Sequence, residues 1–192
     1  MRAILKKLGF RRPDPVAVAW YTIAIHIART EEYFTDLGVP DTVDGRFDMI
    51  SLTTSLINRR IGLVNARHKD RVQDLAQELF DVMFADLDDN FRALGVSDEG
   101  MKHRIKPLAS AHLGRIIGYS DALTPTDPQD RLSLMCAALE RNVYRAVEDT
   151  RGAPRLAARM IALADQLAAT DDDDILHARF SFCADAGGDH GT

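Results

Sequence analysis

Cysteine is nearly absent from this sequence: Cys136 and Cys183 are the only two in 192 residues. Two unpatterned cysteines make neither a disulfide framework nor a zinc motif, so a reducing compartment is the expectation, with one disulfide left open. Long apolar runs are missing too. The most apolar stretch, PVAVAWYTIAIHIA (residues 15–28), is interrupted by Thr22 and His26 and falls short of the ~20 residues that a membrane span requires. Its periodicity continues through Tyr33 and Phe34, which marks a buried core helix rather than a signal peptide. No stretch before residue 175 alternates like a strand, and there is no internal repeat or low-complexity linker. GxSxG, HExxH, P-loop and dinucleotide fingerprints are all absent, and no nucleophile–base pair can be named.

What is present is an ordinary soluble composition, 46% hydrophobic and 28% charged, long enough for one well-packed domain. The net charge of −5 gives no reason to expect specific DNA binding, but the average hides an asymmetry. Arg2, Lys6, Lys7, Arg11 and Arg12 stand unopposed in the first twelve residues, so the remainder carries −10. Such a leader can touch anionic surfaces that the acidic body would avoid. The expected organisation is a basic leader over 1–12, a helical domain over 13–170 and an acidic, polar tail over 171–192.

Glycine and proline punctuation divides the chain into six helical segments, near 13–37, 44–67, 70–94, 98–123, 128–151 and 154–169. The third is clearest: Val72, Leu75, Leu79, Met83, Leu87, Phe91 and Leu94 recur at spacings of three and four on one face. Asp127 ahead of Pro128 is a start signal, with proline where its missing N–H costs nothing. ILHARFSF (residues 175–182) is open between an extended tail and a last helical turn. The fold class that follows is an all-α, single-domain bundle of about six helices. The run DDDD at 171–174 has no spaced ligand geometry and reads as a solvated charge run.

Two acidic stretches carry the candidate chemistry. In GVPDTVDGRFDMI (residues 38–50), Asp41 suits an N-cap with Asp44 in the capping-box position. Asp44 and Asp48, four apart on one helical face, could instead hold Mg²⁺. FADLDDN supplies Asp86, Asp88 and Asp89. Facing acidic pairs in an all-α fold would suit an Mg²⁺-dependent enzyme acting on isoprenoid diphosphates. Arg46 and Arg92 weigh against that reading. Arginines inside both acidic sets point to interlocking ion pairs, with no metal and no catalytic residue to assign. His26, among apolar residues, reads as a core or boundary histidine. His103 and His112 are nine apart and on opposite helix faces, so they share no ligand.

The same stretches resemble the ubiquinol–cytochrome c chaperone family, bacterial relatives of a mitochondrial factor that helps cytochrome b into the bc1 complex. YFTDLGVPDTVDGRFDMI (33–50) resembles the family's opening motif and LFDVMFADLDDNFRALGVSD (79–98) its second. AHLGRIIGYSDAL (111–123), with Gly114–Arg115, and ALERNVY (138–144) are similar to its later elements, over roughly residues 15–150. Ala93 and Ser97 depart from the pattern. The resemblance implies a non-enzymatic assembly chaperone without a cofactor, whose partner is newly made cytochrome b. It implies that Asp41, Asp44, Arg46, Asp48, Asp86, Asp88, Arg92 and Arg115 shape a partner surface or an internal ion-pair network. The leader is then expected to meet the ribosome or the inner face of the plasma membrane, on a cytoplasmic protein.

Overall fold

The computed structural model describes residues 12–182. Among them there is no strand; eight α-helices and one 3₁₀ turn form a single bundle. These are α1 (Pro15–Ala28), α2 (Glu31–Thr35), α3 (Val43–Gly62), the turn Ala66–His68, α4 (Lys69–Ala93), α5 (Asp98–Ala122), α6 (Pro128–Asn142), α7 (Ala153–Ala169) and α8 (Asp172–Leu176).

Helix α3 is the axis of the bundle, packing against α1, α4, α5 and α7. That position explains why it is buried on nearly all sides, with Met49, Leu52, Leu56, Ile57 and Ile61 in the core alongside Ser51, Thr53, Thr54 and Ser55. Two of these hydroxyls are satisfied by nearby carbonyls, whereas Thr54 Oγ1 is buried with no hydrogen-bond partner among the described residues. Ser55 donates to the Ser51 carbonyl at 2.6 Å, and Thr53 donates at 3.1 Å both to Met49 and, across the interface, to Ala24 of α1. Helix α4 shows the face read from its periodicity: Leu75, Leu79, Met83 and Phe91 are buried.

Helix ends differ from the sequence expectation where tertiary contacts intervene. A single helix over 13–37 is broken after Ala28. Thr30 turns extended, its hydroxyl takes the Ile27 carbonyl at 2.9 Å, and the restart at Glu31 lets Tyr33 reach full burial. The helix expected over 44–67 stops at Gly62, because Asn65 caps a separate 3₁₀ turn through the Arg67 N–H. The one expected over 128–151 stops at Asn142, and Tyr144 then donates its hydroxyl to the Leu37 carbonyl at 2.7 Å. Gly152 packs on that same carbonyl; a Cβ there would lie 1.9 Å from the Leu37 oxygen. Thr42, not Asp41, caps α3, accepting from the Gly45 N–H at 3.0 Å. The reason is space. Gly45 sits against the Pro40 carbonyl, where a Cβ would come within 2.0 Å, and this brings the Thr42 hydroxyl into line.

The aspartate run is not merely solvated. Asp172 accepts from Arg60 at 2.8 Å and from the Asn65 N–H at 3.0 Å, while Asp173 and Asp174 pair with Arg179. Residues 175–182 divide between both readings: a last helical turn to Leu176, then an extended segment. Trp20 Nε1–H donates to the Ile175 carbonyl at 2.9 Å, and the Trp20 and Phe180 rings lie 5.9 Å apart.

Candidate functional site

Asp48 is the focus of the first acidic stretch. It is 2% exposed, and each carboxylate oxygen meets a guanidinium from a distant element: Oδ1 lies 2.7 Å from Arg115 on α5, and Oδ2 accepts from Arg145 in the segment after α6. Arg145 also donates to the Asn142 carbonyl, which fixes its direction. Arg115, 8% exposed, lies over the Phe47 ring at 5.4 Å. Burial pushes the Asp48 carboxyl up, against the downward pull of the two arginines.

One turn along α3, Ser51 Oγ stands 2.8 Å from His112 Nδ1. The imidazole is 1% exposed, with the Phe80 and Phe84 rings 6.0 and 5.9 Å away. Burial, reinforced by the nearby Arg115, pushes His112 down to about 4. This is a neutral ring held by one hydrogen bond and two aromatic contacts. The node therefore ties α3, α4, α5 and the end of α6 together through Asp48, Ser51, His112, Arg115 and Arg145.

The other predicted residues occupy different places. Arg46 pairs with Asp41 at 2.6 Å on the surface and lies over Phe34 at 5.6 Å; it does not neutralise the Asp44/Asp48 pair. Asp44 is exposed. In the second stretch Asp86 accepts from the Tyr21 hydroxyl at 2.9 Å and from Asn90 at 3.1 Å, joining α1 to α4. Asp88 pairs with Arg92 at 2.8 Å, and Arg92 continues to Asp98. The acidic stretches are thus separate networks rather than facing halves of one site. With both Asp48 oxygens occupied, Asp44 and Asp48 do not make an Mg²⁺ donor pair. Of the leader, Arg12 is exposed; Arg2, Lys6, Lys7 and Arg11 lie outside the described residues.

Sequence reasoning missed Arg145, His112, Ser51 and Tyr21. The usable signal was Asp48 itself. A carboxylate flanked by Phe47 and Met49 on a buried face requires a cation from elsewhere, although the pattern cannot say which. His26 departs from its expected place in the core or boundary and is exposed on α1. No helix among the described residues is long and apolar enough to cross a membrane.

Comparison with known proteins places these features in context. A family model described as ubiquinol-cytochrome C chaperone matches residues 35–182. It starts later than the motif resemblance and runs through the tail to Phe182. The crystal structure of the Cbp3 homolog from Brucella abortus is similar, with a TM-score of 0.77 and 28% identity. The match covers 98% of this chain and 100% of that one. No curated protein matches.

Proposed function

Because the chain belongs to the ubiquinol-cytochrome C chaperone family, we propose that it is a non-catalytic assembly chaperone whose client is newly made cytochrome b, acting during biogenesis of the cytochrome bc1 complex. The observation that carries this reading is the family match, which spans both acidic motifs and the whole buried node. The chemistry agrees with it. The charges of the node pair with one another, Asp48 with Arg115 and Arg145, which suits a scaffold better than a reaction site.

A chaperone also needs apolar surface to offer. Leu113 and Ile117, one turn apart on α5, are 53% and 64% exposed, on the same helix whose inner face carries His112 and Arg115. Between them Gly114 faces open space, where an added Cβ would meet nothing within 4 Å. Glycine inside a helix costs roughly 0.5–1 kcal/mol relative to alanine, and nothing inside this fold repays it. A client helix drawing close to this face would. The leader completes the proposal: its five cations bring a cytoplasmic protein to the ribosome or to the anionic inner face of the plasma membrane, where cytochrome b is made and inserted.

The test is the level of assembled bc1 complex in cells lacking the gene, read from the cytochrome b and c1 spectra. Complementation uses the full chain and a form without residues 1–12. Loss of both haem signals, restored by the full chain, is the expected result. Normal spectra under respiratory growth overturn the client assignment. Failure of the truncated form alone assigns the leader to membrane or ribosome contact.

A further inference from the structure

Helix α5 turns one side into the core, where His112, Arg115 and Tyr119 are buried, and leaves the other side bare. With about 3.6 residues per turn, Lys106, Ser110, Leu113, Gly114, Ile117 and Asp121 share an arc of about 100° on that bare side. All six are exposed, Leu113 and Ile117 by 53% and 64%. The strip is apolar in its middle and carries opposite charges at its two ends. Those charges are unspent. Among the described residues neither Lys106 nor Asp121 makes a side-chain hydrogen bond or ion pair. Nearby charges are engaged: His103 stands 3.4 Å from Glu99, and Arg104 lies over the Phe91 ring at 5.6 Å.

This layout is complementary to itself. A two-fold interface needs one surface that carries both halves of every contact. Lys106 lies eight residues before Gly114 and Asp121 seven after it, about 12 Å and about 10.5 Å along the helix axis. Two antiparallel copies of α5 with Gly114 on the two-fold axis therefore bring each Lys106 level with the Asp121 of the other copy. Gly114, where an added Cβ would meet nothing within 4 Å, lets the two backbones draw close. Leu113 and Ile117 then cover that crossing point with apolar surface. We propose that the outer strip of α5 is a homodimer contact, seated antiparallel on the same strip of a second copy. Its size sets its strength. A strip about 22 Å long and one helix wide, about 10 Å, falls well short of the roughly 800 Å² per partner that a stable complex buries. The dimer therefore forms at high concentration and parts readily. This goes beyond the chaperone reading and does not depend on it; a client helix that takes this face displaces the second copy.

The experiment is sedimentation velocity on the purified full chain, from about 10 µM to about 1 mM at low salt. The expected result is a rise with concentration toward twice the monomer mass. Leu113→Glu places a charge in the apolar middle and abolishes that rise. Lys106→Glu and Asp121→Lys each set like charges level with one another twice per dimer, and each weakens association about tenfold. An equimolar mixture of these two variants puts opposite charges back at both ends of a mixed pair, so association returns toward the wild-type level. All three positions are exposed, so the variants keep the wild-type thermal midpoint by circular dichroism and their losses are not unfolding. A monomer at every concentration overturns the proposal. So does association that survives Leu113→Glu or ignores both charge variants, and so does a mixture no tighter than its components. Normal bc1 assembly in cells lacking the gene would overturn the client reading and leave this self-association untouched.

Discussion

Asp41 and Asp48 come from the same thirteen-residue stretch, and both end on arginines, yet the two pairings have little else in common. Asp41 meets Arg46 five residues away, with both side chains more than half exposed. Asp48 meets Arg115 and Arg145 from distant elements and keeps 2% of its surface. An exposed pair works against strong solvent screening and the entropy of two long side chains. A buried one has already lost its hydration and depends on its partners. The lesson is that a carboxylate–arginine motif says little until its burial is known. Within one motif, this chain joins a surface clasp to a structural keystone.

The sharpest way to break this comparison is Asp48→Asn. It keeps the volume but strands Arg115, which is 8% exposed, among apolar neighbours. Breaking a buried pair in this way costs about 3–5 kcal/mol, a large share of the 5–15 kcal/mol typical of a whole domain. Urea unfolding should show a loss of unfolding free energy of that size, with a correspondingly lower midpoint. A loss no larger than that of a surface pair would mean that Asp48 is not a keystone. Because the loss is one of folding, any failure of Asp48→Asn to support assembly must be read beside its melting curve.

Acid should loosen the same node through His112. Its folded value, about 4, lies below the ordinary 6.5, so the unfolded chain takes the proton first. The stability held by the neutral ring is complete above pH 6.5 and is lost as the pH falls toward 4. About 2 kcal/mol should disappear between pH 6.5 and about pH 5. The carboxylates held below their usual value, such as Asp14 and Asp172, lose their contribution only under more acid conditions. Unfolding free energies of the wild type and His112→Gln across this range give the check. The wild type should decline steeply and the variant less so; parallel curves would remove His112 from the account.

How much of this was legible depends on the range of the interaction. The helical face of α4, the Asp127–Pro128 start of α6 and the all-α class follow from local spacing, and they stand in the structure. The break at Thr30 and the early end at Asn142 were not legible. The first serves the burial of Tyr33 and the second a hydrogen bond from Tyr144 to Leu37, 107 residues away. Arg92 could be matched with Asp88 because they are four residues apart on one helix. Arg145 could not be matched with Asp48, 97 residues back, by any local rule. The clasp of Asp172 on Arg60 was hidden for the same reason, and so a structural run of acids read as a solvated one.

A smaller effect separates the inner and outer faces of α5. Gly114→Ala adds a methyl into open space and removes glycine's entropic cost, so it should stabilise the fold by about 0.5–1 kcal/mol. If Gly114 exists to let a client helix come close, the same variant should support less bc1 assembly while melting at a higher temperature. Higher stability with undiminished assembly would detach this face from client binding.

The smallest change is expected at the clasp with which the comparison began. Asp41→Ala with Arg46→Ala removes an exposed pair, and thermal and urea midpoints should stay within experimental error of the wild type at ordinary salt. That silence makes the double variant informative in cells. It alters the charge pattern of the family's opening motif while leaving the fold alone, so a drop in bc1 assembly would place Asp41 and Arg46 on a surface that a partner reads. Unchanged assembly would confine the motif's work to Asp48 and the node beneath it. A destabilisation comparable to that of Asp48→Asn would erase the distinction between clasp and keystone, because burial would then not be what separates the two pairs.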